Sequence, residues 1–188
     1  IREEAETIKE KIAYMSQDFS LYGNLTVEQN IEFFADLHQI PAGLRVERKK
    51  EFLAFSRLES FRQRLAGRLS GGMKKKLALC CCLIHSPEIL FLDEPTTGVD
   101  PVSRRDFWRI LNGFLTGGAT IFVSTPYLDE AERFHRVALM HQGEILTCDT
   151  PEKLRGQMGG ELIELRVSPQ REAIKILRKV DRCREVQV

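Results

Sequence analysis

Apolar positions recur at two different periods along this chain, and the periods mark two kinds of structure. Between Leu25 and His85 they return every three or four residues, the spacing of helices with one buried face. Thr26 followed by Gln29 makes a capping box at the front of the first stretch, which Ile31, Phe34, Ala35 and His38 continue. His38 reads as a helix-edge residue, because no second His or Cys stands at ligand spacing. Residues 43–57 predict a second helix that offers Phe52, Leu53 and Phe55 to a core, and 59–66 a short third one. Ser70 is a good N-cap for a helix over 71–84, which His85-Ser86-Pro87 ends.

Outside that block the rhythm shortens. Residues 2–10 read as a polar helix, and Lys11 to Gln17 (KIAYMSQ) as an alternating strand that stops at Gln17. Ile89 to Leu92 is a continuous apolar run, the mark of a strand buried on both faces, and Ala119 to Ser124 is again a buried strand. Asp100-Pro101, an N-cap followed by an N1 proline, opens a helix over 101–115. A short acidic helix is expected over 128–133. Strands follow at Val137 to Met140 and Glu144 to Thr147, joined at Gln142-Gly143. Thr150-Pro151 starts another helix. Leu162 to Val167, a helix over 170–179, and Glu185 to Val188 read as a β-α-β tail. Strand and helix alternating in this way argue an α/β fold with a parallel sheet. The expected division is 1–24 (end of a core), 25–85 (all-helical insert), 86–160 (core again) and 161–188 (a short α+β appendage).

Composition narrows the class. The 188 residues are 43% hydrophobic and 29% charged, ordinary for a soluble globular protein with one good core. A formal net charge of +1 gives no basic excess, which speaks against a nucleic-acid partner. The one basic run, Lys74 to Lys76, reads as a solvated helix face. Leu77 to Ile84, the longest apolar run, is far short of the roughly 20 residues of a membrane span. Cys80, Cys81 and Cys82 are consecutive, so on a helix they point in different directions and suit neither one metal nor a disulfide framework. They read as reduced, buried thiols of a cytosolic protein. The chain opens on Ile1 within a charged segment, which leads to the expectation of a fragment or of a missing front part.

Two stretches carry candidate chemistry. In Ile89 to Pro95 (ILFLDEP) a buried strand delivers Asp93 and Glu94 to the sheet edge where parallel α/β sheets bind ligands. Asp93 suits Mg²⁺, a hard cation that takes oxygen ligands, and Glu94 could polarise an attacking water. Taken alone, the same residues also read as a strand ending in a polar turn. Residues 67–77 (GRLSGGMKKKL) nearly spell a phosphate loop, G-x-x-x-x-G-K-[ST], but Met73 stands in place of the lysine. Ser70, Gly71 and Gly72 at a helix start could still receive an anion on free N–H groups; plain capping is the other reading. Gln17 by itself is no more than a turn residue.

The order of these pieces is more specific than any one of them. A strand ending in Gln17, a helical insert, LSGGM, FLDEP, TTGVDP and VSTPYLDEA follow one another, and residues 11–150 resemble the nucleotide-binding domain of ABC transporters. By that resemblance Gln17 is the Q-loop glutamine, and Leu69 to Gly72 are the signature motif. Phe91 to Glu94 end the Walker B strand, Thr97 to Asp100 are the D-loop, and Tyr127 to Glu132 follow the switch histidine. The phrases GNLTVEQNI, LSGGM and YLDEAE look like the ATPases of ABC-2 type drug or lipid exporters, closest to subunits with two such domains in tandem.

The resemblance implies a P-loop NTPase-like parallel core, with its N-terminal strands missing from this chain, and ATP and Mg²⁺ as cofactors. Glu94 would be catalytic with Gln17, and Asp93 and Gln17 would hold the metal. Ser70, Gly71, Gly72, Asp100 and Gln17 would contact nucleotide. It also implies a membrane-spanning permease, a second ABC ATPase domain, and a peripheral place on the cytoplasmic face of the membrane. In this family two domains sandwich each ATP head to tail, so the Ser70–Gly72 corner would serve the partner's nucleotide.

Two departures stand out. No G-x-x-x-x-G-K-[ST] occurs; in the family that loop lies upstream of where this chain begins, so the isolated chain is expected to be inactive. The switch histidine falls at Pro126, which has no side-chain donor, and His135 and His141 lie too far along to replace it. Two other readings stay open: a catalytically impaired nucleotide-binding or regulatory ABC module, and a non-transport ABC ATPase.

Overall fold

The computed structural model describes residues 5–18, 21–157, 165, 167–177 and 179–180. Two compact units divide the chain, Ile1–Glu130 and Ala131–Val188.

A three-stranded parallel sheet in the order β1-β2-β3 organises the first unit: β1 (Ile12–Met15), β2 (Ile89–Asp93) and β3 (Thr120–Ser124). Tyr14, Phe91 and Phe122 fall in register across it, as do Met15, Leu92 and Val123. α1 (Ala5–Lys11) leads into β1, and α5 (Pro101–Leu115) connects β2 to β3. Asp100 caps α5 by accepting from the Val102 and Ser103 N–H groups, and Pro101 takes N1, so α5 starts where the sequence places it.

Among the described residues of this unit the sheet is covered on one side only. Met15, Leu90 and Leu92 are buried, whereas Tyr14, Phe91 and Phe122 are 58%, 38% and 57% exposed. The expectation that β2 and β3 are buried on both faces is therefore corrected. An apolar run says that both faces of a strand are apolar; what lies over each face is decided elsewhere in the fold. Phe91 and Phe122 instead stack on each other, ring centroids 5.3 Å apart.

The block between β1 and β2 is helical: α2 (Val27–Leu37), α3 (Ala42–Ser56) and α4 (Gly71–Leu83). The capping box forms as expected, with Thr26 Oγ1 accepting from the Gln29 N–H and Gln29 Oε1 from the Thr26 N–H. Val27, Ile31, Ala35, Leu53, Leu58 and Leu77 share a core with the middle of α4. Fully burying a Val, Leu or Ile side chain contributes about 1.5–3 kcal/mol before entropy is counted. Phe55 is exposed and does not join that core, while Phe52 packs against it.

The helix expected over 59–66 is replaced by two 3₁₀ turns, Glu59–Phe61 and Ala66–Arg68. The backbone between them bonds outward: Val27 N–H donates to the Arg64 carbonyl, Glu28 N–H to that of Arg62, and Ala66 N–H to that of Leu25. Groups spent on the front of α2 cannot close a helix of their own. Gly67 belongs to the same seam, where an added Cβ would meet the Gly23 carbonyl oxygen at 3.1 Å.

The basic run is not the solvated face expected of it. Lys74 is exposed, but Lys76 is 6% exposed and stands 3.6 Å from the Asp106 carboxylate on α5. Cys80, Cys81 and Cys82 are free and buried, and burial pushes the Cys80 and Cys82 thiols up to about 12. Two residues past the end of α4, the His85 ring stacks on His38 with centroids 3.8 Å apart.

A short α6 (Leu128–Ala131) follows β3. In the second unit β4 (Val137–His141) pairs antiparallel with β5 (Glu144–Asp149). Gln142 and Gly143 between them both have positive φ, 50° and 83°, as a tight type I′ hairpin turn requires. α7 (Pro151–Gln157) and α8 (Gln170–Leu177) follow. The strand expected over 185–188 lies outside the described residues. So does most of the one over 162–167, of which Leu165 and Val167 are described and carry no strand.

Candidate functional site

β1 and β2 are parallel neighbours, so their C-terminal ends open on the same edge and the residues beyond them meet there. Gln17 lies two residues past β1, Asp93 ends β2, and Glu94 follows it. Gln17 Nε2 donates to Glu94 Oε2 at 3.1 Å, and Thr97 Oγ1 donates to the same oxygen at 3.1 Å. Glu94 Oε1 has no such donor among the described hydrogen bonds.

The backbone aims Glu94. Its φ is +43°, the left-handed region that a non-glycine residue enters only when its surroundings hold it there. Here the Glu94 N–H donates to the Ser124 carbonyl at 3.0 Å and lies 3.2 Å from Ser124 Oγ. Asp93 is held differently: Ser124 Oγ donates to Oδ1, and Tyr14 Oη to Oδ2 at 3.4 Å. A cleft of about 300 Å³ runs from Asp93 over the open face of the sheet, lined by Tyr14, Phe91, Phe122 and Ser124.

The Ser70–Gly72 corner sits at the front of α4. Ser70 caps the helix weakly, accepting from the Met73 N–H at 3.4 Å. Ser70 and Gly71 are exposed, and nothing lies within 4 Å of where a Gly71 Cβ would be. Gly72 is buried, and a Cβ there would stand 2.4 Å from Ser103 Oγ and 3.2 Å from Asp100 Oδ2. The two glycines thus differ: Gly71 leaves backbone open to an incoming group, and Gly72 lets α4 approach the front of α5. Asp100, exposed at that front, has its carboxyl held below the usual range, first by the Ser103 N–H.

Gln17, Asp93 and Glu94 therefore form one group, and Ser70, Gly71, Gly72 and Asp100 another. Lys75 links them. One turn into α4, its ammonium donates to the Gln17 carbonyl. Burial lowers its pKa, and the nearby Asp18, Glu94 and Asp93 charges oppose that shift. Sequence reading placed Thr97 in the D-loop without its bond to Glu94, and missed Lys75 and Ser124 as parts of the site. Thr97, three residues after Glu94 in a turn, was within reach of local spacing; Lys75 and Ser124 are tertiary neighbours only.

The donor set fits the cation expected of it. Asp93 presents carboxylate oxygens at the rim of the cleft, and among the described residues no cluster of three His, Cys, Asp or Glu forms an all-protein cage. Mg²⁺ commonly binds through one or two carboxylates and completes its shell with water and substrate phosphate.

Residues 1–97 match the family model described as ABC transporter, and the chain belongs to that family. It is 39% identical over 161 residues to the probable multidrug ABC transporter ATP-binding protein YbhF of Escherichia coli (strain K12), covering 86% of this chain and 28% of that protein. It is 34% identical over 176 residues to the daunorubicin resistance ATP-binding protein DrrA2 of Streptomyces coeruleorubidus, covering 93% of this chain and 55% of the other. The chain thus spans from about a quarter to about half of these relatives. A solved structure of an ATP binding subunit of an ABC transporter superposes with a TM-score of 0.74 at 28% identity, over 84% of this chain and 66% of that one. That match fits the α/β architecture with its three-stranded parallel sheet.

Proposed function

We propose that this chain is the ATP-binding and ATP-hydrolysing part of an ABC-type efflux transporter, which couples closure around ATP to a membrane-spanning permease. The observation that carries the reading is the convergence of Gln17, Asp93 and Glu94 on one edge of the sheet, with Gln17 and Thr97 fixing one oxygen of Glu94. The names of the relatives, multidrug and daunorubicin resistance among them, point the same way. No helix among the described residues is long and apolar enough to cross a membrane, consistent with a peripheral subunit on the cytoplasmic face.

In this reading Glu94 takes a proton from the water that attacks the γ-phosphoryl group, and its held oxygen keeps the other one aimed. Gln17 orients both Glu94 and the water. Asp93 is the residue that would hold Mg²⁺, with Gln17 beside it; the cation would supply charge neutralisation on the phosphates. Ser70 and Gly71 form the corner offered to nucleotide seated on a second ABC ATPase domain, and Gly72 and Asp100 set its position. The core is of the P-loop NTPase type, with 25–85 as its helical signature block and 161–188 as an appendage.

A catalytically impaired module is the second reading, and Pro126 favours it, since an exposed proline at the switch position offers no donor to a phosphate. The deciding experiment is ATP turnover by the intact gene product together with its permease, with and without vanadate. Vanadate-sensitive turnover lost in Glu94→Gln supports the motor reading. ATP binding without turnover supports the impaired module.

A further inference from the structure

Glu130 is a buried carboxylate that the chemistry above does not use. Only 1% of it is exposed, so each of its oxygens needs a donor. Oε1 accepts from Thr96 Oγ1 at 2.7 Å and from the Trp108 indole N–H at 3.0 Å. Oε2 accepts from Thr125 Oγ1 at 2.7 Å. Arg104 Nε, 3.9 Å from Oε1, supplies the opposite charge.

These groups come from three places in the fold: the turn after β2, the turn after β3, and one face of α5. The first turn is the one that aims Glu94, because Thr97, next to Thr96, donates to the Glu94 carboxylate. The second contains Pro126, and Thr125 Oγ1 also accepts from the Tyr127 N–H at 3.1 Å. The Arg104 guanidinium lies 4.4 Å from the centre of the Tyr127 ring, a second tie between α5 and that turn. A carboxylate serving one loop would be a local staple. Glu130 answers a hydroxyl from each loop with a different oxygen, and α5 holds it from behind.

We infer that Glu130 is a positioning residue that makes the Glu94 turn and the Thr125-Pro126 corner move as one unit, so that a displacement of either is passed to the other. The consequence for turnover rests on the proposed role of Glu94; the mechanical link does not.

The test is hydrogen exchange read by mass spectrometry on the intact gene product, with ATP kinetics alongside, for Thr96→Val and Thr125→Val in native and Glu130→Gln backgrounds. Thr96→Val is expected to speed exchange across residues 124–128 by about fivefold or more, and Thr125→Val to do the same across 94–99. In the Glu130→Gln background each threonine change should act on its own turn alone. Turnover in Thr96→Val should fall about tenfold with KM within about twofold. Exchange that changes only in the mutated turn overturns the proposal. Should Glu130→Gln fail to fold, the two valine substitutions, each deleting one hydroxyl, decide the matter. Wild-type protein without turnover removes the hydrolytic reading but leaves the exchange result standing; normal turnover without cross-loop exchange removes the link and leaves that reading intact.

Discussion

A Cβ on Gly72 would overlap the side chain of Ser103, at 2.4 Å from Oγ and 2.6 Å from Cβ, so these two residues set how closely α4 approaches α5. Gly72→Ala should lower stability by about 1–3 kcal/mol, the usual cost of forcing extra volume into a packed contact. Gly71→Ala, with open space around it, should stay within about 0.5 kcal/mol. Adding Ser103→Gly to Gly72→Ala should recover part of the loss. Thermal melts of the variants check this, and equal melting losses at Gly71 and Gly72 would contradict the packing account.

Glu94→Gln keeps the shape of the side chain and removes its basicity. ATP turnover should fall by about a hundredfold or more, since general-base contributions are of that order. ATP affinity should persist, and phosphate release set against equilibrium binding separates the two. Gln17→Ala should cost less, because Thr97 still holds the same oxygen of Glu94.

Pro126→His should raise turnover at saturating ATP, by restoring a donor at the corner after β3. Thr125, on which the corner depends, is unchanged by this substitution. An unmoved rate would mean that the proline is not what limits this site.

Lys75 ties the front of α4 to the end of β1 through the Gln17 carbonyl. Lys75→Met should destabilise the fold by about 1 kcal/mol, the scale of one net hydrogen bond, and lower turnover together with it. Lys75→Arg, which keeps the charge and the donors, should recover part of both. A denaturant titration and a rate assay on the same samples are sufficient.

The stacked pair His38 and His85 gives the fold a dependence on acid. Burial, with His38 and Arg48 nearby, pushes the His85 pKa down to about 4, and burial lowers that of His38. His85 Nε2 lies 3.1 Å from the Ile12 carbonyl, and Nδ1 is buried without a hydrogen-bond partner. Between about pH 6.5 and 4 the unfolded chain binds a proton at this position and the folded chain does not. Stability contributed by neutral His85 is therefore complete above that window and lost as pH falls through it. Urea titrations at several pH values should show this slope, and His85→Gln should flatten it.

Elements whose signals are local were legible in the sequence. The capping box at Thr26, the Asp100-Pro101 start of α5 and the Gln142-Gly143 turn are each fixed by residues no more than three apart, and each forms where expected. That Gln17 and Glu94 belong to one site was expected only from the order of motifs; their hydrogen bond, across 77 positions, was not legible. What escaped depends on distant partners. Lys76 is buried because Asp106 comes to meet it, and 59–66 is not a helix because the front of α2 takes its backbone groups. Glu130 read only as part of a short acidic helix. Its burial is set by Thr96, Trp108 and Thr125, and no spacing within the helix announces them.

The three thiols of α4 have a practical use. A thiol attacks an alkylating reagent as its thiolate; burial pushes Cys80 and Cys82 up to about 12 and Cys81 well above the usual thiol range, so inside the core they hardly react while the chain is folded. Cys148 is on the surface and should be labelled at once. Any slower uptake of label at Cys80, Cys81 or Cys82 then times how often the helix behind the Ser70 corner comes undone, with no probe added to the protein.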